Sequence, residues 1–179
     1  MSVQPLPAQP PASPLCRLDN AWRVLRTKPR QEKAVVDLLD AGGHTHYLPL
    51  VRRVRHYGHR RRETRTPLFP SYVFVRSELE AAYQAVSSGR VIQIVEVRDQ
   101  VRLDQELAQI RRVLEIGGGL DPYPYLKEGK RARVRSGPFA GIEGVIESKG
   151  RDDRLILCVE ALAQAVSLEI DAGVVDPVE

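Results

Sequence analysis

The sequence predicts an α+β domain, in which helices flank a mostly antiparallel sheet, followed by a small all-β barrel. Three observations predict this order. Strand-like and helix-like stretches alternate over residues 20–116, a run rich in glycine and proline covers residues 117–126, and short strands with tight turns fill residues 127–179. Residues 1–19 hold five prolines and little apolar content, so we expect a disordered tail there.

The first domain is expected to contain four strands and three helices, assigned from apolar periodicity and from turn residues. The strands are expected at residues 21–26, 44–50, 68–76 and 91–97. The helices are expected at residues 31–41, 78–86 and 104–116, and consecutive glycines follow the first and the last of them. This order of elements is typical of helices packed on a mostly antiparallel sheet.

The stretch at 68–76 is the most strand-like part of the chain. Tyr72 and Phe74 point to one face of it, and Val73 and Val75 point to the other. A strand with two apolar faces is typical of the centre of a sheet, or it carries a docking surface on one side. The residues alone favour the core alternative, because aromatic side chains in strands usually lie in the interior.

Residues 51–66 carry seven arginines, with Gly58 at their centre and Glu63 as the single acidic residue. This pattern predicts a basic hairpin. A solvated charged face is the usual interpretation of such a run, but the excess of positive charge favours a nearby polyanion. We therefore expect this hairpin to contact nucleic-acid phosphates, with five candidate residues: Arg52, Arg53, Arg60, Arg61 and Arg62.

The second domain follows a predicted linker at 117–126, whose glycines and prolines are typical of a short tether. Its strands are expected at residues 131–135, 145–148, 155–162 and 166–170. Short strands at near-regular spacing with glycine turns predict a closed barrel, because closure removes unpaired strand edges.

Charge and composition exclude several classes of protein. Residues 20–116 hold 18 Lys and Arg against 11 Asp and Glu, whereas residues 127–179 hold 8 against 10. A basic first half is typical of a domain that acts close to nucleic acid. A mildly acidic second half is typical of a module that binds proteins. No apolar run is long enough for a membrane span, and the two cysteines form no pair or cluster. We expect reduced thiols and a cytoplasmic protein.

Enzyme chemistry and metal binding are not expected. The chain has no phosphate-binding loop spacing, nucleophile elbow or credible pair of carboxylates. The pairs His44 with His46 and His56 with His59 lack accompanying cysteines and have few carboxylates nearby, so neither a metal site nor a cofactor is predicted.

Residues 129–146 resemble the KOW motif. Glycines in this segment permit turns with positive φ and a bulge, and the proline fixes the start of a turn. The motif positions are Gly129, Val134, Gly137, Pro138, Gly141 and Gly144. KOW motifs also occur in ribosomal proteins, so this segment predicts a barrel without deciding its role.

The first domain resembles the N-terminal (NGN) domain of NusG transcription factors. The resemblance rests on Trp22, on Thr-Lys-Pro-Arg-Gln-Glu at 27–32, on Tyr-Leu-Pro at 47–49 and on Pro-Leu-Phe-Pro-Ser-Tyr-Val-Phe-Val at 67–75. The stretch at 62–70 is closer to specialised paralogues of the RfaH and UpxY kind. Together with the KOW motif, the resemblance covers residues 20–177.

This resemblance implies a non-enzymatic, monomeric elongation or antitermination factor that binds the β′ clamp helices of RNA polymerase. The implied polymerase-binding residues are Trp22, Tyr47, Phe69, Pro70, Tyr72 and Phe74. It also implies that the face of Tyr72 and Phe74 is exposed, and that Lys28, Arg30 and Gln31 face the non-template DNA strand. Contact with the β subunit stays open, because residues 81–83 do not match the His-Thr-Thr element of RfaH.

The KOW domain is implied to recruit partners through residues 162–164. General NusG proteins carry an aromatic residue, glycine and arginine there and bind ribosomal protein S10 or Rho, whereas this chain has Leu162, Ala163 and Gln164. This departure puts Rho contact in doubt, leaves S10 open and favours a specialised factor. The alternatives are a housekeeping NusG and a ribosome-associated KOW protein that binds RNA.

The composition of residues 160–165 favours a helix inside the predicted strands. Two interpretations follow: a constitutive barrel that overrides this local preference, or a helical hairpin that masks the polymerase-binding face, as in RfaH. The turn glycines favour the constitutive barrel.

Overall fold

The computed structural model describes residues 20–57, 60–77, 79–125, 129–149 and 152–178. The chain divides into two compact units, Met1–Gln100 and Val101–Glu179. The tail expected at 1–19 and the hairpin tip expected at Gly58 lie outside the described residues. Within the part of the chain that is described, no helix is both long and apolar enough to cross a lipid bilayer.

In the described residues of the first unit there are six strands and two helices. The strands are β1 (Ala21–Thr27), β2 (Thr45–Tyr47), β3 (Leu50–Tyr57), β4 (Arg60–Pro67), β5 (Tyr72–Ser77) and β6 (Val91–Glu96); the helices are α1 (Glu32–Ala41) and α2 (Leu79–Ser87). Four strands form an antiparallel sheet in the order β2-β5-β1-β6, and β3 pairs with β4 as a separate ribbon. The predicted α+β architecture is therefore present in this unit.

One face of the four-stranded sheet packs against α1 and α2. Alternate residues of β1 and β5 meet apolar side chains that recur at helical spacing along α1. The buried members of this cluster are Leu25, Val35, Val36, Leu39, Val73, Val75, Ala82, Ala85 and Val91. β5 and β1 lie inside the sheet and neither has a free edge, and Val73, Phe74 and Val75 are buried on the two faces of β5.

The part of the second unit that the structure describes has a long helix and six strands. The helix α3 (Gln100–Ile116) begins at the last residue of the first unit, and the strands are β7 (Leu120–Tyr123), β8 (Arg131–Val134), β9 (Glu143–Lys149), β10 (Asp152–Val159), β11 (Gln164–Ile170) and β12 (Val175–Pro177). The strands form one antiparallel sheet in the order β12-β8-β9-β10-β11-β7. This all-β arrangement suits the expected KOW fold, and closure of the barrel stays a prediction.

Residues 155–170 adopt strands, despite their helical composition. β10 is paired on both sides, with β9 and with β11, and only Glu160–Leu162 forms a short turn of 3-10 helix. Leu155 and Val166 are fully buried, so pairing and burial outweigh a local preference of a few tenths of a kcal/mol per residue. The strands predicted in this segment are present, and the choice between a constitutive barrel and a refolding helical hairpin stays a prediction.

Two features of the second unit differ from expectation. Leu120–Tyr123, expected within a flexible linker, forms strand β7 and pairs with β11. Pro122 is tolerated there because β7 is an edge strand, where a missing N–H costs no ladder bond on the open side. Helix α3, expected in the first domain, falls in the second unit of this division, which begins at Val101. The predicted domain bounds, 20–116 and 127–179, stay a prediction.

Candidate functional site

The aromatic residues of the NusG-like motif gather on the face of the sheet opposite α1 and α2. Tyr47 on β2 lies directly across from Phe74 on β5, and their ring centroids are 6.4 Å apart. Phe69 lies in the turn before β5. Its ring is T-shaped to the Phe74 ring, and the two centroids are 6.1 Å apart. At the far end of the pair of strands β1 and β5, the Arg76 guanidinium lies 5.7 Å from the Trp22 ring centroid. The structure thus brings these motif residues to one face.

The expected exposure of this face is wrong for Phe74, whose side chain is 0% exposed. Trp22, Tyr47 and Phe69 are also buried. Tyr72 is half-buried and Pro70 is exposed. The physical reason is packing: the Phe74 ring lies between those of Tyr47 and Phe69, with centroid distances of 6.4 and 6.1 Å. The accessible part of the predicted surface is therefore the turn before β5 and the start of that strand.

That turn is held by a buried carboxylate. Glu32, at the start of α1, is 6% exposed, and its Oε1 accepts a hydrogen bond of 2.7 Å from the Ser71 N–H. The Ser71 carbonyl in turn accepts a hydrogen bond of 2.8 Å from the Thr27 N–H. Ser71 adopts φ of +66°, a left-handed conformation that costs a residue with a Cβ about 1–2 kcal/mol. Glycine at this position would avoid that cost.

The loop that follows β1 presents the predicted DNA-facing residues. Lys28 and Arg30 are exposed, and Arg30 has a left-handed backbone, with φ of +63°. Gln31 Oε1 accepts a hydrogen bond of 3.3 Å from Arg90 Nη1, and the Lys28 N–H donates to the Arg90 carbonyl at 2.8 Å. Arg90 lies about sixty positions further along the chain, so the sequence pattern did not identify it. The structure thereby adds a fourth cationic or polar group to this loop.

The arginine hairpin is present as the ribbon β3–β4. Arg52 Nε forms an ion pair of 3.1 Å with Glu63 Oε1. Arg53 is half-buried and Arg62 is exposed. The predicted candidates Arg60 and Arg61 lie on β4, and their side chains are outside the described parts.

The KOW motif lies at β8, at the turn that follows it and at β9. Gly137 and Gly141 have φ of +86° and +87°, as the predicted turn requires, and Pro138 is exposed in that turn. Val134 is buried, and its carbonyl accepts a hydrogen bond of 2.8 Å from the Gly141 N–H. The motif residues therefore shape the strand connection.

Two motif glycines are needed for close approach. A Cβ on Gly144 would lie 2.5 Å from the Ile156 carbonyl oxygen, and one on Gly129 would lie 2.3 Å from Val145 Cγ1. Gly144 was expected to permit a turn with positive φ; the structure assigns it a packing role, because the backbone of β10 passes directly against it.

The predicted partner segment follows the turn Glu160–Leu162. Leu162 is buried, Ala163 is exposed with φ of +49°, and Gln164 is half-buried. The left-handed backbone at Ala163 gives a physical reason for the glycine that general NusG proteins carry there. The departure at Leu162 replaces an aromatic side chain with a buried leucine.

Charged side chains of α3 hold the turn Glu160–Leu162, which lies in the same unit as Arg102 and Glu106. Glu106 Oε2 accepts a hydrogen bond of 3.2 Å from the Glu160 N–H, and Glu106 Oε1 accepts one of 3.1 Å from Arg102 Nε. Arg102 also forms an ion pair with the Glu160 carboxylate. Burial raises the pKa of Glu106, and the hydrogen bonds from Glu160 and Arg102 oppose that rise. Within the described ranges, no group of three or more His, Cys, Asp or Glu residues could hold a metal ion.

Comparison with known proteins identifies the family of the first unit. A family model described as "Transcription termination factor nusG" matches residues 20–113, which is more than half of the 179 residues. Three relatives, each named "Transcription termination/antitermination protein NusG", come from Escherichia coli (strain K12), Salmonella typhi and Yersinia pestis. Each is 29% identical over 126 residues, and the match covers 66% of this chain and 70% of the relative.

A solved structure described as "Crystal Structure of MjSpt4:Spt5 complex conformation B" covers 88% of this chain and 97% of its own chain, at 15% identity and a TM-score of 0.27. That TM-score is too low to relate two folds. The family match is independent of it: the matched residues contain every motif segment of the first unit, from Trp22 to the strand β5. This chain therefore belongs to the NusG family of transcription factors.

Proposed function

We propose that this chain is a specialised NusG-type elongation or antitermination factor that acts in the cytoplasm as a monomer. Its first unit binds the β′ clamp helices of RNA polymerase and suppresses pausing or termination, and its second unit recruits partners. The observation that carries the proposal is the coincidence of the family match at 20–113 with the aromatic residues that gather on one face of the sheet.

The accessible turn before β5 supports the polymerase contact. Pro70 is exposed and Tyr72 is half-buried, and both rest beside the buried rings of Phe69 and Phe74. Buried aromatic rings next to the partly exposed Tyr72 form an apolar surface. Such a surface suits the apolar side of a partner helix, since amphipathic helices bind through apolar residues at helical spacing. Tyr72 is the residue expected to contribute most, because interface energy concentrates in aromatic anchors.

The loop at 28–31 supports a contact with the non-template strand. Lys28, Arg30 and Arg90 are exposed cations, and Arg90 is hydrogen-bonded to Gln31 and to the backbone of Lys28, which suits the phosphates of a displaced single strand. The Glu32–Ser71 hydrogen bond ties this loop to the turn that precedes β5. A factor anchored on polymerase by that turn would hold the displaced strand in place, and restraint of the strand is a physical route to fewer pauses.

Affinity capture with purified RNA polymerase tests the anchor. Tyr72→Ala is expected to weaken capture at least tenfold, a loss on the order of 1.4 kcal/mol, which is within the usual range for an aromatic anchor. Leu38→Ala is the control, because Leu38 is 43% exposed on α1, at the opposite face of the sheet and outside every predicted polymerase contact. Equal capture by wild type and Tyr72→Ala would contradict the proposal. In reconstituted paused elongation complexes, wild type is expected to shorten the pause and Tyr72→Ala to lose that effect.

The segment at 162–164 supports the specialised role over the housekeeping one. Leu162 is buried and Gln164 is half-buried, so neither presents the aromatic ring or the guanidinium that general NusG proteins offer. The triple variant Leu162→Phe, Ala163→Gly, Gln164→Arg restores the general pattern and is expected to bind ribosomal protein S10 and Rho more tightly than wild type. If wild type bound Rho as tightly as the triple variant, the housekeeping role would be favoured.

The ribosome-associated alternative finds little support in two arginines at the end of β8. Arg133, on β8, is paired with Glu143 across the strands, and Arg135, just after it, is paired with Asp176 at 3.6 Å. Neutralised cations release few counterions from RNA, so they contribute little to RNA affinity. Binding of ribosomal RNA in preference to RNA polymerase would support this alternative instead.

A further inference from the structure

One row of side chains crosses the four-stranded sheet at the accessible end of its aromatic face. Arg26 on β1 lies directly opposite Tyr72 on β5, and on its other side it lies directly opposite Gln93 on β6. Directly opposite residues of an antiparallel pair point to the same face of a sheet. The three side chains therefore share the face that carries Phe74. Arg26 and Gln93 are exposed, and Tyr72 is half-buried.

The neighbouring row of the same face is apolar and mostly buried. Two positions back along β1, Val24 lies opposite Phe74 on one side and Val95 on the other. Val24 and Phe74 are fully buried, and Val95 is half-buried. A partner that rests on this end of the face therefore meets an apolar floor next to the more accessible side chains of Tyr72 and Arg26.

The charge of Arg26 is not compensated by the described residues around it. Its side chain forms no ion pair or hydrogen bond with another described residue. Glu96 is the one acid on the described strands β1, β2, β5 and β6, and it lies opposite Arg23, on the other face. The second arginine of the face, Arg76, is engaged with the Trp22 ring at 5.7 Å. An apolar surface with one uncompensated cation suits a partner that offers an apolar and an acidic side chain together.

We propose that the polymerase helix that docks on Tyr72 carries an acidic side chain three or four positions from its apolar contact, and that Arg26 binds this acid. The inference rests on the proposed polymerase contact and adds a residue that selects the partner. Cβ atoms of directly opposite strand residues lie about 4.5–5.5 Å apart, and those of helix residues three or four positions apart lie about 5–6 Å apart. One helix that crosses the strands therefore places an apolar residue on Tyr72 and a carboxylate at Arg26.

A phosphate of the displaced DNA strand is the alternative anion for Arg26. The predicted DNA-facing loop is joined to Arg90, whose carbonyl accepts a hydrogen bond of 2.8 Å from the Lys28 N–H. Arg90 lies three positions before Gln93, which is about 10 Å along an extended chain. Arg26 lies instead beside Tyr72, the expected polymerase anchor, and a guanidinium binds a carboxylate through two parallel hydrogen bonds. The position of Arg26 therefore favours a protein carboxylate.

Capture of the full chain by purified RNA polymerase of the same organism tests the charge at about 50 and 500 mM salt. Arg26→Gln is expected to weaken capture about threefold to tenfold at the lower salt and much less at the higher salt, because salt screens charge pairs. Arg98→Gln is the matched control, because Arg98 is exposed in the same unit but lies past the end of β6. Equal capture of wild type and Arg26→Gln at the lower salt would overturn the inference.

A charge exchange identifies the acid on the polymerase. Arg26→Glu is expected to weaken capture more than Arg26→Gln does, because like charges then meet across the interface. Each exposed acid of the clamp helices is replaced by lysine in turn. One of these polymerase variants is expected to restore capture of Arg26→Glu by at least about fivefold. If none of them restored it, the acidic contact would be refuted.

The outcomes separate this inference from the function on which it rests. If Tyr72→Ala weakened capture and Arg26→Gln did not, the polymerase contact would stand and the acidic contact would fall. No loss by either variant would overturn both. If Arg26→Gln left capture unchanged and weakened binding of a single-stranded DNA oligonucleotide, the phosphate alternative would replace the inference. The fluorescence of Trp22, the single tryptophan, reports whether the first unit of each variant is folded.

Discussion

Replacement of Glu32 by alanine is expected to destabilise the first unit by about 2–3 kcal/mol. The Glu32 carboxylate is buried and accepts a hydrogen bond of 2.7 Å from the Ser71 N–H. A hydrogen bond to a charged group contributes about 1.5–3 kcal/mol, and a carboxylate in the first turn of a helix adds about 0.3–1 kcal/mol. Glu32→Gln keeps an oxygen acceptor and loses the charge, so a smaller loss of about 1 kcal/mol is expected.

Urea unfolding followed by Trp22 fluorescence measures this loss in the full chain. Trp22 is the single tryptophan and is 2% exposed in the first unit, so its signal reports that unit alone. Asp37→Ala on the same helix is the control, because Asp37 is exposed and its removal is expected to change stability by less than about 0.5 kcal/mol. If Glu32→Ala changed the free energy of unfolding no more than Asp37→Ala, the Ser71 hydrogen bond would not hold the turn.

Three further predictions concern the backbone and pH. Ser71→Gly is expected to stabilise the first unit by about 0.5–1 kcal/mol in the same assay, because the release of left-handed strain exceeds the entropy cost of glycine; a loss of stability would contradict this. Gly144→Ala is expected to destabilise the second unit by about 2 kcal/mol, since its Cβ would lie 2.5 Å from the Ile156 carbonyl oxygen. Gly173→Ala, with nothing within 4 Å of its Cβ, should have little effect, and hydrogen exchange would compare the two. Because burial raises the pKa of Glu106, the folded state binds its proton more tightly than the unfolded chain does. The second unit should therefore gain stability as pH falls through that raised value, levelling off below the ordinary carboxyl range, and Glu106→Gln should weaken this dependence.

Local pattern was enough to predict the strands and helices of the first unit. The apolar spacing of residues 31–41 became α1, and the alternation at 68–76 became β5. The predicted strand at 44–50 divided at Leu48 and Pro49 into the end of β2 and the start of β3. Proline has no N–H for a ladder, so its position marks a boundary that a periodic pattern passes over.

The exposure of Phe74 could not be decided in this way. Alternation shows that its side chain lies on the same face as that of Tyr72, but not whether the strand is central or at an edge. The sheet order β2-β5-β1-β6 made it central, and the side chain is buried. Arg90 was missed for a related reason, because its hydrogen bond to Gln31 joins residues far apart in the chain.

The sequence by itself determined the order of elements, the basic first half, and the motifs that mark the NusG family, because these depend on residues close together in the chain. The tertiary structure decided the features that depend on distant pairing: the burial of the aromatic face, the carboxylate that holds Ser71 and the strand at Leu120–Tyr123. A shift of one residue in strand register moves every side chain to the opposite face. The direction of each charged or aromatic surface is therefore a property of the folded sheet.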